Sequence, residues 1–146
     1  MTTREAALVE LLARLRAEFE PDLPVDRNVT IDETVPAPGL IVLRDGDPGE
    51  PLMAIGAATP WYHWEHVAEA EVMVADQNDA ARSSRLDQVM ERIDAVVRAD
   101  PTLGGLIAAA RVMAPEILHE RVPGAVPHAY ARLPIVLQFA TSSGVG

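Results

Sequence analysis

Hydrophobic positions recur along this chain at two periods, and the changes of period divide it into elements. Leu8, Leu11, Leu12, Leu15 and Phe19 fall at helical spacing, acidic and arginine residues occupy the other side, and Thr2 or Thr3 can serve as the N-cap. Pro21 and Pro24 end that helix. Runs rich in β-branched residues follow, Val25 to Ile31 and Leu40 to Arg44, which read as strands separated by the Pro-containing stretch Val35 to Gly39. Asp45-Gly46-Asp47-Pro48-Gly49 is a turn signal, and the apolar run Leu52 to Ile55 after it predicts a hairpin.

From Trp61 to Ala75 the period becomes two. Tyr62, Trp64, His66, Ala68, Ala70, Val72 and Val74 fall on one side, and Trp61, His63, Glu65, Val67, Glu69, Glu71 and Met73 on the other. The pattern predicts a long strand with one apolar and one acidic face. Asp76 to Asp79 offers N-caps for a second helix carrying the stripe Leu86, Val89, Met90, Ile93, Val96 and Val97, which stops before Asp100-Pro101. Gly104-Gly105 leads into Leu106 to Ala114, read as a strand although its alanines leave a helix open. Pro115 to Pro127 reads as a loop. Tyr130 to Ala140 reads as a last strand, in which Pro134 implies an edge or a bulge. The order predicts α+β: a single domain over residues 1–140, a mixed, mostly antiparallel sheet with the N-terminal helix and the central amphipathic helix packed on it, and a flexible tail over 141–146.

At 146 residues one core is expected, and 49% hydrophobic against 23% charged residues is ordinary globular usage. Composition removes whole chemistries. The chain has no cysteine, hence no disulfide, thiolate nucleophile or cysteine-ligated metal, and all its basic residues are arginine, so neither a Schiff-base amine nor a Walker lysine is present. A formal charge of -10 repels phosphate and argues against duplex DNA or an anionic membrane as a direct ligand. The first twenty residues mix both signs of charge through their apolar positions, unlike a signal peptide or a spanning helix, so a protein without an export signal is expected.

Candidate chemistry concentrates in Trp61-Tyr62-His63-Trp64-Glu65-His66. On a helix His63 and His66 would share a face and approach a metal site; on a strand they point to opposite faces, and the zinc-protease pattern His-Glu-x-x-His is missing. No Gly-x-Ser-x-Gly elbow exists, and Ser83 and Ser84 suit the start of a helix. Glu69 and Glu71 have the types of an acid–base pair, but a solvated acidic strand face accounts for them at less cost. Gly104-Gly105 lacks the context of a dinucleotide loop. The expectation is a protein that is not an enzyme and uses no metal or cofactor, with edge strands and loops that suit joining subunits.

Four segments in order carry a family resemblance: His66-Val67-Ala68-Glu69-Ala70-Glu71-Val72; Arg85 to Ile93; Asp100-Pro101-Thr102-Leu103-Gly104-Gly105-Leu106; and Leu133 to Thr141. Together with the N-terminal helix they resemble the tail terminator (tail completion) proteins of long-tailed bacteriophages and prophage-like gene transfer particles. The resemblance implies a homo-oligomeric, hexameric ring on the head-proximal end of the tail tube. The ring would end tube polymerisation and meet the tube protein on one side and a neck or head-completion protein on the other. It implies a virion component of the neck region, assembled in the bacterial cytoplasm. A neck connector, or an acidic inhibitor that mimics DNA, is the alternative. From the strand pattern itself, Glu65, Glu69 and Glu71 are expected to face the ring channel, where DNA passes without being held, or a subunit boundary.

Overall fold

The computed structural model describes residues 1–31, 38–56, 58–120 and 127–146. Helix α1 (Thr3–Phe19) starts where Thr2 Oγ1 accepts the Glu5 N–H at 3.1 Å, and its stripe Ala7, Leu8, Leu11, Leu15 and Phe19 is buried. Strands β1 (Val25–Arg27), β2 (Gly39–Asp47), β3 (Leu52–Ala54) and β4 (Trp61–Ala75) follow. Asn78 caps α2 (Asp79–Ala99) through the Ala81 N–H at 3.0 Å. Strands β5 (Ala109–Val112), β6 (Glu116–Glu120) and β7 (His128–Thr141) complete the chain.

The fold is the expected α+β domain. Among the described residues its seven-stranded sheet runs β1-β2-β4-β7-β5, with β3 paired to β4 and β6 to β7, and only the β1–β2 pair is parallel. The long pair β4–β7 is the spine, in register from Tyr62 opposite Thr141 to Ala75 opposite His128. Alternation along it sends Ala68, Ala70, Val72 and Val74 of β4, with Leu133, Ile135 and Leu137 of β7, to the face where α1 and α2 lay their stripes. That is the main core.

Several boundaries differ from the sequence pattern, each for a physical reason. No hairpin forms at Asp45 to Gly49. Strand β2 runs on through Asp47 with a bulge after Arg44, and β3 then takes up the same edge of β4 farther along, Leu52 opposite His63. A fifteen-residue partner is long enough to template both pieces, so the turn signal marks an interruption and not a reversal. Strand β1 ends at Arg27, short of Ile31, and most of the Val35 to Gly39 stretch lies outside the described residues. Within Leu106 to Ala114 only Ala109–Val112 is strand, because Thr102 and Pro101 carbonyls hold the Ile107 and Ala110 amides in a turn. Part of the expected Pro115 to Pro127 loop is β6, paired along β7; its remainder, 121–126, lies outside the described residues.

Pro134 is neither at a sheet edge nor at a bulge, since β7 has neighbours on both sides. Its carbonyl accepts the Met113 N–H at 2.8 Å, on the side of β5 and β6. A strand residue's N–H and C=O project to the same side, so the missing donor faces the gap between the end of β5 and the start of β6. A central proline is tolerated where the neighbouring strand is itself broken.

Both helices lie on one face of the sheet. On the other face, among the described residues, no helix covers the row Glu65, Val67, Glu69, Glu71 of β4 or the row Gln138, Val136, Pro134, Arg132 opposite it. One corner is closed by side chains: Leu40, Val42 and Met73 form a second small cluster under Ile31 and Tyr130.

Candidate functional site

Strand alternation places Glu65, Glu69 and Glu71 together on this open face. Their environments differ. Glu65 is exposed and accepts Gln138 Nε2 at 2.8 Å; Glu71 is only 9% exposed and meets Arg44 Nη2 at 3.2 Å. Arg44 stands opposite Glu69 across the β2–β4 ladder, and Arg132 opposite Glu71 across β4–β7. Arg132 is further held by the Tyr130 hydroxyl at 3.0 Å. The acidic row seen in the sequence is therefore interleaved with arginines from neighbouring strands, which the pattern of β4 alone cannot show. Cross-strand opposite charges of this kind stabilise a ladder by up to about 1 kcal/mol each, and they leave a face of alternating sign.

The histidines separate as the strand reading requires. His63 is on the exposed side, while His66 is buried and its Nε2 contacts the Asp45 carbonyl. Its Nδ1 has no hydrogen-bond partner among the described residues. Burial pushes the His66 pKa below its ordinary value and nearby Arg4 adds to this, against the opposing pull of the Asp45 carbonyl and the Asp45 and Asp47 carboxylates. The folded chain thus keeps His66 neutral while the unfolded chain protonates near pH 6.5, so this contribution is intact above that pH and is lost as the pH falls below it. Urea unfolding at pH 7.5 and 5.5 should show a loss of up to about 1.4 kcal/mol per pH unit, flattened in His66→Gln. Equal slopes in the two proteins would remove His66 from the account. His119 and His128 lie in β6 and at the start of β7, and no group of metal-ligating side chains assembles among the described residues.

The aromatic cluster turns out to serve packing. Trp64 stacks on Phe139 with centroids 6.3 Å apart, and its Nε1 donates to the buried Thr141 Oγ1 at 3.0 Å. Thr141 in turn donates to the Ser143 carbonyl, and Gly144 sits against the Tyr62 ring. After β7 the chain therefore bends back onto the start of β4.

Two further constructions bind elements together. Arg27 reaches Glu5 through two bonds of 2.8 Å and Asp45 through bonds of 2.7 and 2.9 Å, tying α1 to β1 and β2. Nothing in the sequence signals it, because its members are 18 to 22 positions apart. The Asp100-Pro101-Thr102-Leu103-Gly104-Gly105 segment, by contrast, is conspicuous in the sequence. The Asp100 carboxylate accepts from the Thr102 amide at 3.1 Å, the Thr102 hydroxyl at 2.7 Å, the Gly104 amide at 2.8 Å and Arg14 of α1 at 2.9 Å. These bonds, that of the Thr102 hydroxyl first, hold its pKa at about 2. The loop folds around them and drives Leu103 into the core with φ near 50°. The motif is a clasp between α2, α1 and β5.

Fold and site together define a class: a two-layer α+β domain with one sheet face closed by helices and the other, among the described residues, carrying charged and small apolar side chains. No family model and no curated protein matches the chain. Among solved structures, a chain in "Virion of native gene transfer agent (GTA) particle" is similar, with 12% identity over 94% of each chain and a TM-score of 0.42. Likeness at that level assigns no role.

Proposed function

We propose that this chain is a non-enzymatic structural subunit of a phage-like particle. In this reading it is a tail terminator that closes into a homo-oligomeric ring, six copies by the resemblance, on the head-proximal end of the tail tube. The observation that carries the reading is a long sheet face that no helix covers among the described residues: a ladder of alternating charges around half-buried Val67 and Pro134, with Val136 already buried within the chain. Such a surface suits a neighbouring copy better than a small molecule, since paired charges along a flat face fix register. The clasp at Asp100 supports the resemblance at the level of fold, because that motif joins α1, α2 and β5 within the chain. Glu65, Glu69 and Glu71 belong, in this reading, to the subunit boundary and not to the channel. A channel that keeps DNA from adhering needs unbroken negative potential, and Arg44 and Arg132 break it.

The test is solution mass together with particle content. The purified chain should self-associate from its 15.7 kDa protomer, weakly at low salt where copies of charge -10 repel, and more strongly as salt screens them. Glu69→Arg should weaken association about tenfold, roughly 1.4 kcal/mol, while the protomer, in which the new arginine stands opposite Arg44, loses about 1 kcal/mol of stability and stays folded. A chain absent from purified particles, whose deletion leaves tail length and head joining normal, would end the proposal.

A further inference from the structure

The β3–β4 arm carries an apolar tip that stays exposed among the described residues. Leu52 is 78% exposed, Met53 53%, Ile55 90% and Trp61 49%, and the twelve residues Pro51 to Tyr62 carry no charge in an otherwise acidic protein. At the size of such side chains this leaves roughly 500 Å² of mostly apolar surface in water, at the upper end of the largest patch on an ordinary monomer. Among the described residues strand β3 pairs with β4 alone, which leaves its outer edge unpaired there.

A cleft of about 430 Å³ opens on the bare sheet face beside the base of this arm, between β3–β4, β7 and the turn before β5. Ala108, Ala140 and Phe139 give it small and apolar walls, His63 and Gln138 a polar side, and Glu50 and Glu65 an acidic rim. That rim repels an acidic segment and admits an uncharged one. Met53, Ile55 and Trp61 form an uncharged apolar segment that does not line the cleft, whereas Leu52 at the base of the arm does. Knob and hole on one chain make a head-to-tail contact, the kind that propagates from copy to copy and closes into a ring when the rotation allows.

We propose that the tip of the β3–β4 arm, with Ile55 and Trp61 foremost, inserts into the Ala108–Ala140 cleft of a second copy of this chain. The inference rests on the self-assembling reading above and supplies its contact. Without Leu52, which lines the cleft, the tip offers roughly 400 Å², half of the about 800 Å² that each partner gives to a stable interface, and the charged ladder next to the cleft supplies the rest. Small residues at Ala108 and Ala140 are what keep the hole open.

Complementation tests this. Ile55→Asp spoils the knob and keeps the hole; Ala140→Phe fills the hole and keeps the knob, with Ala108→Phe as a second filling variant should the first perturb β7. Light scattering and native mass spectrometry on the full chain should show each variant alone self-associating at least tenfold more weakly than the unaltered protein. An equimolar mixture of a knob and a hole variant should form 1:1 dimers that do not grow. Circular dichroism identical to the unaltered chain shows that each variant is folded. Knob variants that lose association while both hole variants keep it would mean that the tip meets another surface, and the proposal falls. It also falls if no variant changes the mass of an oligomeric protein, or if the unaltered chain stays monomeric at every concentration yet enters particles; in both cases the ring reading survives. Absence from particles removes that reading itself.

Discussion

Leu103→Ala should lower the stability of the fold by about 3–4 kcal/mol, the range for a fully buried leucine whose site cannot collapse, and reduce the thermal midpoint by roughly 10 °C for a domain of this length. Leu103 has no exposed surface and packs with the residues of both helices and the sheet. It is delivered there by a backbone with φ near 50°, a conformation that costs a leucine energy and persists only because Asp100, Thr102 and Gly104 fix the turn around it. Alanine would keep the strained backbone and lose the packing that justifies it. Leu103→Met, nearly equal in volume, should cost less than about 1.5 kcal/mol. Differential scanning calorimetry at neutral pH reads both. A midpoint within about 3 °C of the unaltered protein for the alanine variant would show that the motif is not a clasp, and a change in self-association at unchanged midpoint would make it an interface after all.

Gly46→Ala should be nearly as damaging, by about 2–4 kcal/mol. Gly46 sits in the bulge of β2 with φ of 71°, and a Cβ there would stand 1.9 Å from the Val67 carbonyl oxygen. That atom is backbone of the central strand and cannot swing aside, so β2 must part from β4. The same displacement moves Asp45, whose carbonyl meets His66 and whose carboxylate meets Arg27. Gly105 provides the control. It too has a positive φ, 84°, but nothing lies within 4 Å of its Cβ position, so Gly105→Ala should cost only the conformational strain, about 1 kcal/mol. Hydrogen exchange on the two variants separates the outcomes: the Val67 to Glu71 amides should lose protection with Gly46→Ala and keep it with Gly105→Ala. Equal protection would mean that the bulge yields without opening the sheet.

The elements with an internal period were legible from the chain itself. The stripes of α1 and α2 and the alternation of β4 and β7 place their residues correctly because each is long enough for a repeat to be counted, and Thr2 and Asn78 cap where the sequence offers them. Short strands were a different matter. β6 has five residues directly after Pro115 and exists as a strand because β7 extends past β5 and offers a free edge. β3 has three and is held by β4. Each pairs with the strand that follows it, Ala54 opposite Trp61 and Glu120 opposite His128, but three to five residues are too few for a period to be counted.

The site divides in the same way. That Glu65, Glu69 and Glu71 share a face follows from the period of one strand. That Arg44 and Arg132 stand across from Glu69 and Glu71 follows from register, which belongs to pairs of strands and not to any one of them. By itself, then, the sequence determined the α+β class, the main helices and strands, which side of each is apolar, and the exclusion of thiol and lysine chemistry. Only the tertiary structure decided that the acidic row is a ladder of alternating sign, that the turn at Asp45 to Gly49 is a bulge and a break, that Pro134 can occupy a central strand, and that an apolar arm stands beside a cleft. The physical reason is range: side-chain periodicity and capping are set within a few residues, whereas register, the covering of a sheet face and the meeting of knob with hole depend on which distant segments the fold brings together.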